Sequence, residues 1–206
     1  MEDTHTEVMR NMNVMKMAVV AGAAAVLAAP TAHAQAEAYT IDPVHSTIEF
    51  KIRHLMVSDV KGTFDRFTGV IQLDAGNIEA SSVEVTIETA SINTRNERRD
   101  GDLRSANFFE AEKYPTITFK SKKVAKHGDA WVAVGDLTMH GVTREIELPF
   151  TLTGPVAMGE NSLIGVSSSA ELNRKDFGIN WNQTLDSGGV AASDVVRFEL
   201  DIRARK

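Results

Sequence analysis

No cysteine occurs among the 206 residues. That excludes a disulfide, a cysteine-based metal site and a thiol nucleophile, so the folded chain is held by its core alone. The signatures of common catalytic centres are missing as well. There is no GxSxG turn, no HExxH helix, no phosphate-binding GxxxxGK[ST] loop and no GxGxxG dinucleotide turn. Histidines beyond residue 34 are His45, His54, His127 and His140, and none stands at H-x-H or H-x-x-x-H spacing. His45 and His54 bracket one strand, and at about 3.3 Å per residue they lie roughly 30 Å apart if it is straight. They cannot share an ion. Positive charge is not in excess either. A net charge of −6 argues against a nucleic-acid partner. The densest basic stretch, Arg95 to Arg104, is interleaved with Glu97, Asp100 and Asp102, the pattern of a solvated helix face. No metal and no cofactor is expected.

Long apolar runs are absent apart from Met17–Ala29, whose 13 residues are too few to cross a bilayer comfortably. Arg10 and Lys16 precede it. Ala32-His33-Ala34 follows at cleavage-site spacing, with Ala34-Gln35-Ala36 as a second choice. This reads as a signal peptide over residues 1–34, for which Met12 or Met15 would be a more usual start. A single domain of about 172 residues then runs over 35–206, and an exported, periplasmic protein is expected. Nothing after Ala36 reads as a transmembrane segment.

What the rest of the chain has is alternation with a period of two. In Ser46–Arg53, Ile48, Phe50 and Ile52 face away from Glu49, Lys51 and Arg53. Asp59–Asp74 is long and contains Gly62 and Gly69, read as bends or bulges. Ser82–Thr89 sets Val83, Val85 and Ile87 against Glu84, Thr86 and Glu88. Thr116–Lys122 offers Ile117 and Phe119. Trp131–His140 offers Val132 and Val134, then Leu137 and Met139 beyond a shift near Gly135. Thr143–Thr153 places Ile146, Leu148, Phe150 and Leu152 on one face. Leu163–Leu172 is weaker and Ser-rich. The cleanest strand carries Val196, Phe198, Leu200 and Ile202. One wet and one dry face per strand is what antiparallel sheets allow. About eight such strands with short turns make a sandwich or a barrel, and strands this long favour a barrel.

Two segments depart from the pattern. Thr94-Arg-Asn-Glu97 fits a capping box and Asn107-Phe-Phe-Glu110 a weaker one. One broken helix or two short helices are therefore expected over Arg95–Ala111, ending before Pro115. Phe108, Phe109 and Tyr114 either plug one end of the barrel or pack as an ordinary connector. Asn173–Asp194 has no strand pattern, holds Gly178, Gly188 and Gly189, and carries Trp181 as an anchor candidate.

Charged side chains gather at strand ends and in connections: Asp42, His45, Arg53, His54, Arg98, Arg99, Asp100, Arg174 and Asp176. An apolar interior with polar groups at its mouth suits a long hydrophobic molecule with a polar head. A fully packed interior that binds nothing fits the alternation equally well.

Seven stretches, taken in order, resemble the YceI-like family of lipid-binding proteins. They are Tyr39–Ser46 (YTIDPVHS), Arg53–Gly62 (RHLMVSDVKG), Phe64–Gly69, Asn96–Phe109 (NERRDGDLRSANFF), Tyr114–Ser121 (YPTITFKS), Leu137–Pro149 (LTMHGVTREIELP) and Arg174–Gly178 (RKDFG). The resemblance covers about Tyr39 to Arg205. It implies a mainly β fold: an extended, lipocalin-like, eight-stranded antiparallel β-barrel with an elongated apolar cavity, to which the residues add one or two short helices. It also implies a periplasmic binder of polyisoprenoids, isoprenoid quinones or fatty-acid-like lipids. His140 departs from the family, which often has Arg before the Gly-Val-Thr of Gly141-Val142-Thr143. If that position holds a phosphate head, a neutral or pH-sensitive head is expected here.

The first expectation is thus a non-enzymatic carrier or sequestering protein. Ile48, Phe50, Ile52, Phe64, Val85, Ile117, Phe119, Phe150 and Phe198 would line the cavity. His45, Arg53, His54, Arg99 and Asp176 would stand near the head group or mouth, while Asp100 and Arg104 look like structural partners. A second reading makes the barrel a scaffold for a membrane redox partner. A third is an enzyme acting on a lipid head, with His45 as base oriented by Asp42. Transient membrane contact and a homodimer stay open.

Overall fold

The structure is a computed structural model that describes residues 35–128, 130–186 and 189–206. The signal peptide expected over 1–34 lies outside the described residues. Eleven strands are present: β1 (Glu37–Ile41), β2 (Thr47–His54), β3 (Ser58–Phe64), β4 (Phe67–Leu73), β5 (Ser82–Glu88), β6 (Ile92–Asn93), β7 (Thr116–His127), β8 (Ala130–Met139), β9 (Val142–Met158), β10 (Asn161–Asn173) and β11 (Ala192–Arg205). One α-helix, α1 (Glu97–Arg104), lies between β6 and β7.

The eleven reduce to eight. β1 and β2 both pair with β11, and β4 and β3 pair with β1 and β2 in turn. β5 pairs with β4, and β6 with β3. Thus β1–β2, β3–β4 and β5–β6 are three long strands, each broken once. Five more strands continue the up-and-down order, every pair antiparallel, and the β1–β11 pairing closes the ring. The expected eight-stranded barrel with one helix is what forms. Alternation of direction sets the β2–β3 turn, α1, the β8–β9 turn and the segment after β10 at one end, here called the helix end.

Each break has a local cause. Asp42 caps a short 3-10 turn over Pro43–His45, accepting the Val44 amide at 3.1 Å. Arg203 of β11 grips the same carboxylate at 2.7 Å. The second break falls at Asp65–Arg66 and the third at Thr89–Ser91, and the two are joined by Asp65 N–H donating to Ser91 O at 3.1 Å. The glycines expected to mark bends lie inside regular strands instead. A Cβ on Gly62 would stand 2.4 Å from Phe50 Cζ, and one on Gly69 2.6 Å from Glu84 O. They make room for neighbours rather than bend the chain.

The helix differs from expectation too. Its N-cap is Asn96, whose side chain accepts the Arg99 amide at 3.0 Å. Thr94 instead donates its hydroxyl and amide to the buried carboxylate of Asp100. α1 ends at Arg104, and turns carry the chain to Pro115 without a second helix. Arg104 donates to the carbonyls of Ala90 and Ile92 at 2.9 and 3.0 Å, tying α1 to the third long strand. In β8, Ala133, Leu137 and Met139 line the barrel's cavity, while Val132, also buried, and Val134 do not. The register shift sits on β7, between Ser121 and Lys123, so β8 keeps one phase throughout.

Candidate ligand cavity

The barrel encloses a cavity of about 280 Å³. It runs from Ile78 and Ser82 towards Leu103, Phe108 and Ile179 at the helix end. Cross-strand pairing explains the wall. Partners directly opposite in a ladder share a face. Phe198 stands opposite Phe50, Phe119 opposite Val85, Ile117 opposite Ile87, and Phe150 opposite Trp131. All nine apolar residues expected to face inward line the cavity: Ile48, Phe50, Ile52, Phe64, Val85, Ile117, Phe119, Phe150 and Phe198. Gly62 leaves the space that the Phe50 ring fills. Among the described residues the wall presents no polar surface.

The helix end is plugged by aromatic side chains. Phe109 meets Phe64 edge-on with ring centres 5.9 Å apart, and Phe108 packs on Trp181 at 5.0 Å. Of the three aromatic residues grouped in the sequence, Phe108 and Phe109 line the cavity, whereas Tyr114 packs on His140 away from it. Arg174 is buried and lines the cavity with its carbon stem. Its guanidinium turns away, donating to the carbonyls of Ser193, Ile179 and Trp181 at 2.7–2.9 Å and pairing with Asp194 at 3.5 Å. Burial lowers its pKa, and Asp194 works against that. One arginine thus holds the segment after β10 against the barrel.

The five polar residues expected near a head group are elsewhere, because none lines the cavity. His45 sits at the first strand break, about half exposed, with Nδ1 3.1 Å from the Asp42 carboxylate and Arg203 alongside. The Arg203 hydrogen bond pulls the Asp42 pKa down to about 2 against the opposing effect of burial, and His45 and the Val44 amide add to it. Arg53 pairs with Asp59 on the outer face at 3.2 Å. His54 ends β2 opposite Ser58 and Ala192. Arg99 donates to the Thr94 hydroxyl and carbonyl at 2.7 and 2.9 Å. Asp176 is exposed, and its carbonyl accepts Arg144 Nε at 3.1 Å. Each of the five belongs to a strand end or a connection.

His140 is also outside the cavity. Its Nδ1 donates to Phe177 O at 3.1 Å, and its ring meets Tyr114 edge-on at 4.8 Å. It buttresses the turn Arg174–Phe177, so a head-group role has no geometric support. The Asp42–His45 pair is real but faces outward. No group of three or more metal-ligating side chains is found among the described residues.

Sequence reasoning left Ile146, Leu148, Leu152, Val196, Leu200 and Ile202 out of the site, although they line it and share the alternation that singled out the others. Leu103, Phe108, Ile179 and Arg174 come from connections, where no period exists to reveal a facing direction.

A YceI-like domain model matches residues 39–204. A UPF0312 protein of Staphylococcus aureus (strain N315) is 39% identical over 163 residues, which are 78% of this chain and 93% of that one. The crystal structure of the Campylobacter jejuni YCEI protein superposes with a TM-score of 0.64 at 35% identity, over 76% of this chain and 90% of the other. The fold also matches Burkholderia cenocepacia BcnA, with a TM-score of 0.71 at 20% identity, covering 80% and 99% of the two chains. It matches a polyisoprenoid binding domain from Saccharophagus degradans at 0.59 and 18%, covering 83% and 98%.

Proposed function

The chain belongs to the YceI-like family, and from that membership and the barrel's interior we propose that it binds a long-chain amphiphilic lipid. The ligand is a polyisoprenoid, an isoprenoid quinone or a fatty-acid-like molecule, carried, stored or sequestered in the periplasm after removal of residues 1–34. The observation that carries the reading is the cavity of about 280 Å³, lined almost throughout by apolar side chains, with Glu49, Ser81, Ser82, Ser168 and Arg174 at its border. At about 24 cal/mol per Å³, leaving such a void unfilled forgoes roughly 7 kcal/mol of packing. That rivals the whole stability of a typical domain. A filled cavity reverses the sign: each buried CH₂ is worth about 0.8 kcal/mol, so ten give roughly 8 kcal/mol before ordering costs.

The apolar wall also says which part of the ligand enters. A polar head buried there would lack a hydrogen-bond partner, so the tail enters and the head stays outside. The likeness to a polyisoprenoid binding domain supports a tail of that kind. Binding rather than catalysis is favoured because the Asp42–His45 pair is walled off from the cavity.

The test is a native mass spectrum of the protein purified gently from its own periplasm. An added mass, released by organic extraction and identified as a prenyl or acyl chain, is expected. A bare polypeptide that also refuses added quinones, prenyl phosphates and fatty amides overturns the reading and leaves a scaffold.

A further inference from the structure

Nine large hydrophobic side chains are strongly exposed among the described residues, and six stand at the helix end: Leu55, Met56, Val57, Trp181, Val190 and Val195. The first three are consecutive and form the whole β2–β3 turn, with Met56 60% and Val57 78% exposed. Leu55 and Met56 have φ of 49° and 63°. Such backbone suits Asn or Gly at a hairpin tip, and an L side chain there is strained. Folding alone therefore selects against Leu-Met-Val at this position. Strained, apolar and exposed together mark a working surface.

The turn is also one surface with the segment after β10. Leu55 N–H donates to Ala191 O at 2.8 Å, and a Cβ on Gly189 would stand 3.2 Å from Met56 Cγ. Asn182 holds Ala192 by a pair of hydrogen bonds at 2.7 and 3.1 Å, which sets Trp181 beside it. Trp181 in turn packs on Phe108, and Phe108 lines the cavity. Phe108 thus links the interior to Trp181, and the segment that carries Trp181 is bonded to the turn.

We propose that the helix end docks into the surface of a lipid bilayer, with Leu55-Met56-Val57 inserted and Trp181 at the interface. This rests on the lipid-binding reading of the cavity. A tail leaving a bilayer for the barrel would otherwise cross water, and seating in the membrane the end whose Phe108 lines the cavity shortens that step. The inserted turn carries no charge. Behind it Asp59 pairs with both Arg53 and Lys51, and Asp186 lies on the adjoining segment. Insertion of the turn itself is therefore apolar, while exposed Arg95 and Arg98 stand beside it at the same end. Three short side chains give weak, reversible attachment, as a shuttle requires.

The test uses residues 35–206, which contain every strand of the closed barrel and omit the apolar run at 17–29. Flotation with phosphatidylcholine vesicles should recover the protein equally at low salt and at about 1 M NaCl, where charge is screened beyond about 3 Å. With Trp131→Phe leaving Trp181 as the sole indole, vesicles should shift its emission to the blue. Met56→Asp with Val57→Asp should cut the vesicle-bound fraction at least tenfold. The same variant should take up cis-parinaric acid from detergent-free buffer as the parent does. Uptake without vesicle binding in the parent overturns docking and leaves the cavity reading intact. Binding that needs phosphatidylglycerol and vanishes in salt overturns apolar docking. A parent that ignores vesicles but dimerises, with the double variant monomeric, assigns the surface to a second copy instead.

Discussion

Replacing Ala133 by Phe separates a real cavity from a packed core by the sign of one free energy. Ala133 is buried on β8, opposite Val124 and Leu148, and lines the cavity. If the space is empty, the ring enters it without displacing protein. Burying a phenylalanine then contributes about 1.5–3 kcal/mol, less about 0.5–1 kcal/mol of side-chain entropy. The ligand-free protein should gain about 1–2 kcal/mol, a rise in Tm of roughly 2–8 °C. In a close-packed interior the same substitution would cost about 1–3 kcal/mol. Ligand affinity should move the other way. Six added carbons occupy the place of five or six methylenes, roughly 4–5 kcal/mol at about 0.8 each, or about a thousandfold in Kd. Urea unfolding of delipidated protein gives the first number and cis-parinaric acid titration the second. A destabilised Ala133→Phe that still binds as tightly as the parent refutes both the cavity and its occupant.

Other consequences are more local. Gly62→Ala should cost about 1–3 kcal/mol, because its Cβ meets the Phe50 ring, and adding Phe50→Leu should recover most of that in denaturant titrations. Arg174→Met removes the donor from three carbonyls, that of Ile179 buried and those of Ser193 and Trp181 partly so, and should cost about 3 kcal/mol. Arg174→Lys should fail to restore it, since an ammonium lacks the guanidinium's fork; faster proteolysis after Lys175 reports the loosened segment. Asp42, held at about 2 in the folded state against an ordinary 3.8, lends stability that is complete above about pH 4 and lost as pH falls towards 2. Asp42→Asn should flatten that part of the stability–pH curve measured by urea unfolding, and an unchanged slope would contradict the Arg203 hydrogen bond as its cause.

Much of the fold was legible because alternation reports directly on facing. From Ile146 to Leu152 in β9 and from Val196 to Ile202 in β11 every second residue is apolar, and those residues line the cavity. β8 misled because its partner, not itself, carries the irregularity: the extra residue lies at Lys122 on β7, so β8 keeps one phase and Ala133 rather than Val132 or Val134 lines the cavity. The polar residues misled for a different reason. A charge at a strand end looks the same in sequence whether it guards a mouth or pins a neighbouring strand. His45 and Arg99 turn out to do the pinning, through Asp42 and Thr94. Thr94 and Asn96 both fit a helix cap, and only the buried Asp100 carboxylate decides between them by claiming Thr94.

The order of strands around the barrel also fixes an order of events in time. Every ladder but those made by β11 with β1 and β2 joins long strands that are successive in the chain, and such more local pairings form early. The last ladders close loops of about 140–165 residues and wait for β11, Ala192–Arg205, to arrive. Until then the sheet is an open ribbon with two free edges and no interior. A chain emerging N-terminus first through any narrow passage therefore cannot close its barrel before β11 is through, and a truncation that removes β11 leaves two sticky edges rather than a smaller barrel.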